Sequence, residues 1–164
     1  RRVLFRSWLA AVPSSQGLAL PPLAADDWRW LEVCSGVARV QAATADAFVP
    51  QMVNFELVGG VSFKKGCYPG QEVVARSQYR GTLKRRGQLL SSAGPLTPGQ
   101  DVYGSDDPTQ PAGLLALAAP GPDGQHWGLA ALKLSAEAPL HIGAADGAPA
   151  EVHTLPYALP QLAD

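Results

Sequence analysis

Charge excess, cysteine, histidine and long apolar runs are all scarce in this chain, and each scarcity excludes something. Thirteen basic residues against fourteen acidic ones leave a net charge of −1. That is too little for bulk electrostatic capture of nucleic acid or anionic lipid, so any such contact has to be local. No apolar run approaches the roughly 18 residues that a membrane span needs, and the start "RRVLFRSWLAAVP" lacks the layout of a secretory signal. The expectation is a cytoplasmic protein with no membrane partner. Two cysteines, Cys34 and Cys67, are too few for a disulfide framework. With no CxxC spacing, and with His126, His141 and His153 all far from both cysteines in sequence, they make no zinc site, and no metal site is expected.

What is present suits a folded protein. The 164 residues are 46% apolar, enough for one ordinary domain or two small ones with a real core. The chain opens without methionine and reads as the later part of something longer; residues 1–7 are given no structural meaning. Residues 8–12 form an apolar fragment that breaks at Pro13, and "PSSQGLALPPLAA" is loop-like. "DDWRWLEVCSG" predicts a short helix capped by Asp26 or Asp27, with Trp28, Leu31 and Cys34 on one face and Gly36 ending it. Cys34 is then a small buried hydrophobe with no chemistry. "GVARV" reads as a short extended piece, "QAATADAFVPQMVNFELVGG" as connection with one helical turn after Thr44, and "VSF" as a short strand. "PGQEVVARSQY" predicts a helix with Pro69 in its first turn, Glu72 near its positive end and Arg76 four residues further on.

Beyond Gly81 the texture changes. "LKRRGQLLSS", "DVYGS", "GLLALAAP", "HWGLAALKL", "PLHIG" and "AEVHTL" are short strand candidates separated by turns rich in Gly, Pro and Asp. Such spacing predicts a small antiparallel barrel or sandwich. The boundary is placed near Thr82, dividing residues 1–82 from residues 83–164, and "TLPYALPQLAD" is expected to lie loosely along the surface.

The stretch with chemistry in it is "KKGCYPGQE", residues 64–72. Lys64 and Lys65 precede Cys67, Arg76 follows, and the helix expected near Pro69 would aim free N–H groups back at the thiol. Each of these favours the thiolate, which is the nucleophile and the metal ligand. Gly66 and Gly70 permit sharp turns and close approach, and Gln71 offers both a donor and an acceptor. The plainer alternative is that Cys67 is a small core filler shaped by glycine turns; no histidine nearby in sequence supports a Cys/His pair. Trp28 and Trp30 are open to two readings, as core residues or as a flat face for a planar ligand. Tyr79, Arg80, Lys84, Arg85 and Arg86 form a basic cluster that is either a solvated face or a local anion site.

"GGVSFKKGCYPGQEVVAR", with "FVPQMVN" before it and "YRGTLKRR" after it, resembles the YgfZ family of folate-binding proteins, which is related to the glycine-cleavage T-protein, an aminomethyltransferase. The resemblance runs from about Trp28 to the closing "LPY". It implies an α+β fold: the C-terminal part of a T-protein-like folate-binding body carrying the motif, then a small antiparallel β-barrel, with most of an N-terminal portion missing. It further implies tetrahydrofolate as cofactor, and a role in the synthesis or repair of iron–sulfur clusters in certain enzymes, including one that modifies tRNA. Partners would be folate and iron–sulfur enzymes or their assembly proteins. Cys67 matches the family's functional thiol, within a motif supported by Lys65, Gly66, Tyr68, Gly70, Gln71, Glu72 and Arg76. Trp28 matches a tryptophan of the folate site, where T-proteins look to carry arginine. The departure is "GVA" at Gly36–Ala38, where the family often has "GIP".

The leading expectation is therefore a folate-dependent accessory protein in which Cys67 ligates a cluster transiently, exchanges persulfide or disulfide, or attacks a folate-borne one-carbon unit. One cysteine cannot hold a cluster alone, since such sites usually supply four ligands. An aminomethyltransferase is the runner-up; it would need a carboxylate near the folate nitrogen, and only Glu72 and Asp46 are conceivable, so enzymatic activity is not expected. A third reading, an RNA-binding module built on "YRGTLKRR", meets a near-neutral chain without an aromatic stacking strip, and direct nucleic-acid binding is not expected.

Overall fold

The computed structural model describes residues 21–79 and 83–160. The expectations for residues 8–12, for the start of the proline-rich loop, for Arg80 and for Thr82 lie outside the described residues.

Among the described residues, two helices precede six strands. Helix α1 spans Ala25–Cys34 and α2 spans Gln71–Tyr79, with two short 3-10 turns between them at Ala42–Thr44 and Pro50–Val53. Strands β1 (Arg85–Ser92), β2 (Asp101–Tyr103), β3 (Gly113–Pro120), β4 (His126–Lys133), β5 (Leu140–Ile142) and β6 (Ala148–His153) fall on the six segments marked as strand candidates. They close into an antiparallel barrel in the order β1-β4-β3-β2-β5-β6, β6 pairing back onto β1. Closure removes the open sheet edges that six short strands would otherwise expose.

Alternation along the strands sorts side chains into two cores. Leu90, Val102, Leu115, Ala130, Leu132, Leu140 and Ile142 form one cluster and fill the barrel. Their neighbours Leu89, Leu117, Leu129 and Ala131 belong to a second cluster with Val33 of α1. A register shift between Leu115 and Leu117 in the β3–β4 pairing reconciles the two. The extra residue lets β3 turn Leu115 to one core and both Ala116 and Leu117 to the other, the usual work of a β-bulge. Helix α1 thus lies on the outside of the barrel against β3 and β4.

Several local expectations change. Helix α1 begins at Ala25, and Ala24 caps it without a side-chain bond. Asp26 and Asp27 therefore stand inside the first turn, where they meet the positive end of the helix dipole instead of capping it. The inward face carries Trp30 and Val33, while Trp28 is 46% exposed. Gly36 does end the helix, with φ +68°, and has a second reason to lack a side chain: a Cβ there would come within 2.8 Å of Leu155. "VSF" forms no strand, and α2 begins at Gln71, so Pro69 and Gly70 sit in the turn before it. The closing segment is not loose. Leu155 is buried in the outer core, and the Tyr157 hydroxyl donates to the Gly36 carbonyl at 2.6 Å.

Candidate functional site

Cys67 stands in an irregular loop, residues 60–70, that leads into α2, and its side chain is exposed. The loop is shaped locally. The Tyr68 amide donates to the Gln71 side-chain oxygen at 3.2 Å, and the Gln71 amide donates to the Tyr68 carbonyl at 3.2 Å. This reciprocal pair closes a tight four-residue turn, and Gly70 supplies the positive φ of +79° that it requires. Lys65 places its ammonium 4.5 Å from the centre of the Tyr68 ring, a cation–π contact beside the thiol-bearing residue. Gly66 and Gly70 have open space where a side chain would stand. So Lys65, Gly66, Cys67, Tyr68, Gly70 and Gln71 do belong to one small substructure. Phe63 and Tyr79, at the two ends of the segment, meet edge to face at 6.0 Å.

Glu72 lies in the first turn of α2 and Arg76 in its last, both exposed. They form no ion pair: among the described residues the pairs are Arg29–Asp26, Arg39–Glu32 and Arg86–Glu56. Trp28 presents its indole to solvent on the first half of α1. Among the described residues no ring pair or hydrogen bond joins it to the Cys67 loop. An exposed indole offers a flat aromatic face to solvent. Asp46 and Glu72, the two conceivable carboxylates for aminomethyl transfer, are both solvated and stand on separate elements. Among the described residues no three His, Cys, Asp or Glu side chains converge as a metal site would require.

The two thiols differ in setting. Cys34 is half-buried. Burial, with a smaller contribution from the Asp123 charge, pushes its thiol up to about 11, so at neutral pH it is inert. Cys67 is in contact with solvent.

Beneath the loop lies a buried polar joint whose roles could not be assigned from the sequence. Gln51, fully buried, donates to the Val74 carbonyl at 2.7 Å and so pins α2 to the 3-10 turn Pro50–Val53. Asn54 is also fully buried and adopts φ +63°. Its amide nitrogen donates to the Gly87 carbonyl at 3.0 Å, and its amide oxygen accepts from the Gly87 N–H at 3.2 Å. The side chain thereby acts as one rung of a strand added to β1. Gly87 allows it, because a Cβ there would stand 2.7 Å from the Asn54 amide. Tyr157 receives a further bond from Asn54 at 3.2 Å, linking the closing segment to the same joint. Arg86 points inward, donating to the Gln51 carbonyl at 3.1 Å and pairing with Glu56. The basic cluster is therefore divided: Arg86 is a structural cation, while Lys84 and Arg85 remain at the surface. Both amides lie in "FVPQMVN", a visible motif, but their partners are more than twenty residues away in sequence.

Comparison of the sequence with models of known protein families gives no match. The resemblance carried by residues 64–72 stands on those residues and their flanks.

Proposed function

We propose that this chain is a tetrahydrofolate-binding accessory protein that supports the synthesis or repair of iron–sulfur clusters in client enzymes, including one that modifies tRNA. Cys67 is its working thiol and Trp28 part of its folate site. In this reading the two helices and 3-10 turns before β1 are the C-terminal part of a T-protein-like body, and the setting is cytoplasmic. The observation that carries the proposal is the division between the thiols. Cys34 is withdrawn and held protonated, whereas Cys67 is presented on a turn built by Tyr68, Gly70 and Gln71. A core-filling cysteine would not be presented in this way. A lone thiol leaves most cluster positions unfilled, so ligation would join Cys67 to thiols of the client or of a small molecule.

The test uses cells deficient in the endogenous activity. Cys67→Ser should fail to restore the activity of an iron–sulfur client while keeping the native melting temperature, and Cys34→Ser should restore it. Restoration by Cys67→Ser would remove the thiol from the function. Separately, tetrahydrofolate should quench tryptophan fluorescence saturably, and Trp28→Ala should weaken its binding tenfold or more; unchanged affinity would place the folate elsewhere or nowhere.

A further inference from the structure

A groove of about 620 Å³ is not used by the thiol reading. Its lining combines the apolar Met52, Leu83 and Leu134 with the cations Lys84, Arg85 and Lys133. Two of these cations are forced together by the fold: Arg85 and Lys133 are directly opposed in the antiparallel β1–β4 register. Like charges at opposed positions destabilise a sheet, and such a pair normally separates or takes an acid between its members. Here none of the three cations forms an ion pair among the described residues. Asp107 feels the Lys133 charge without pairing with it, and one of its carboxylate oxygens accepts from the Thr109 hydroxyl at 2.6 Å and the Thr109 amide at 3.0 Å.

We propose that this groove is a binding site for an amphipathic small-molecule dianion: an apolar body on Met52, Leu83 and Leu134, and two carboxylates or phosphates held by Lys84, Arg85 and Lys133. The volume lies within the range of small-ligand sites, which combine apolar walls with a few placed polar groups. A bound dianion would also neutralise the opposed Arg85–Lys133 pair. A sheet that keeps two like charges in register at the mouth of an apolar groove keeps them at some cost to stability, as binding sites do. The inference rests on the groove alone and not on the folate reading.

Dansyl-aspartate, with an apolar fluorophore and two carboxylates, is a direct probe, and neutral dansylamide is its control. With the full 164-residue chain, dansyl-aspartate should bind saturably and at least tenfold more tightly than dansylamide, and the difference should shrink as salt rises. Arg85→Glu should weaken dansyl-aspartate tenfold or more while leaving the melting temperature equal or higher, because an opposed like-charge pair becomes an opposite-charge pair. Lys84→Glu, outside the strands, should weaken it in the same direction and serves if Arg85→Glu does not fold. Backbone amide shifts should concentrate at 83–85 and 133–135. Equal binding of the two dyes, affinity unaffected by both variants, or shifts centred elsewhere would each overturn the proposal.

Discussion

The two cysteines give the most direct test of the molecule's chemistry, by their rates with a neutral disulfide reagent such as 4,4′-dithiodipyridine. Cys34 is pushed up from an ordinary 9.0 to about 11. At pH 7 that difference alone reduces the thiolate population by a factor of about 100. The more basic thiolate is intrinsically more nucleophilic, and with a Brønsted coefficient of about 0.4–0.5 this recovers roughly six- to tenfold. Cys34 should therefore react about 10- to 15-fold more slowly than a free cysteine before any steric protection from its half-burial. The exposed Cys67 carries no comparable burial. The expected trace at pH 7 has two phases of one thiol each, the fast one lost in Cys67→Ser and the slow one lost in Cys34→Ala. The slow rate should rise about tenfold per pH unit up to the region of pH 11, since only the thiolate attacks. A single phase of two equivalents, or a fast phase that survives in Cys67→Ser, would refute the reasoning.

Further predictions concern the joint beneath the loop. Asn54→Ala leaves the buried N–H and C=O of Gly87 without partners and forces alanine into a positive φ; the loss should be about 3 kcal/mol by urea unfolding. Asn54→Gly should lose roughly 1 kcal/mol less, because glycine accepts that backbone freely. Arg86→Ala should cost about 3–5 kcal/mol, since it abandons the buried Glu56 carboxylate and the Gln51 carbonyl; a melting temperature within a degree of native would show that the pair is solvated. Burial raises the Cys34 thiol, and burial first and the Glu56 charge second raise the Tyr157 phenol against opposing contributions from Asn54 and Arg86. Both neutral forms are favoured by folding; the Cys34 contribution is whole below about pH 9 and is lost as pH rises toward 11, and the Tyr157 contribution is whole below about pH 10 and is lost above it. Thermal melts should show that alkaline decline, and Cys34→Ala combined with Tyr157→Phe should flatten it.

The barrel was legible because its signals are local. Strands β1 to β6 are short segments separated by turns rich in glycine, proline and aspartate, and turn chemistry acts within four residues. Gly36 was legible for the same reason: a helix end needs a left-handed residue, and glycine provides it at little cost. The motif at residues 64–72 was also readable as a unit, and its internal bonds span three residues at most. Helix α1 shows where this stops. Trp28 and Trp30 lie about 200° apart around a helix of 3.6 residues per turn, and two different faces, Trp28–Leu31 or Trp30–Val33, could each have been the buried one. The surface offered by β3 and β4 chose Trp30 and Val33, leaving Trp28 to solvent.

Other features existed only once distant segments met. Asn54 serves as a rung for Gly87 across 33 positions, Gln51 pins Val74 across 23, and Tyr157 reaches Gly36 across 121. No periodicity encodes such pairs, because a side-chain amide or hydroxyl satisfies whichever buried backbone group the fold brings to it. The same holds for the three cations around the apolar groove. In sequence Arg85 and Arg86 are neighbours of one kind, but adjacent residues of a strand face opposite sides. Closure of the barrel sent Arg86 inward to Glu56 and set Arg85 against Lys133 at the surface. Composition and turn chemistry were enough to place six strands; the exposure of Cys67, and the division of the basic residues between support and surface, were decided by the tertiary structure.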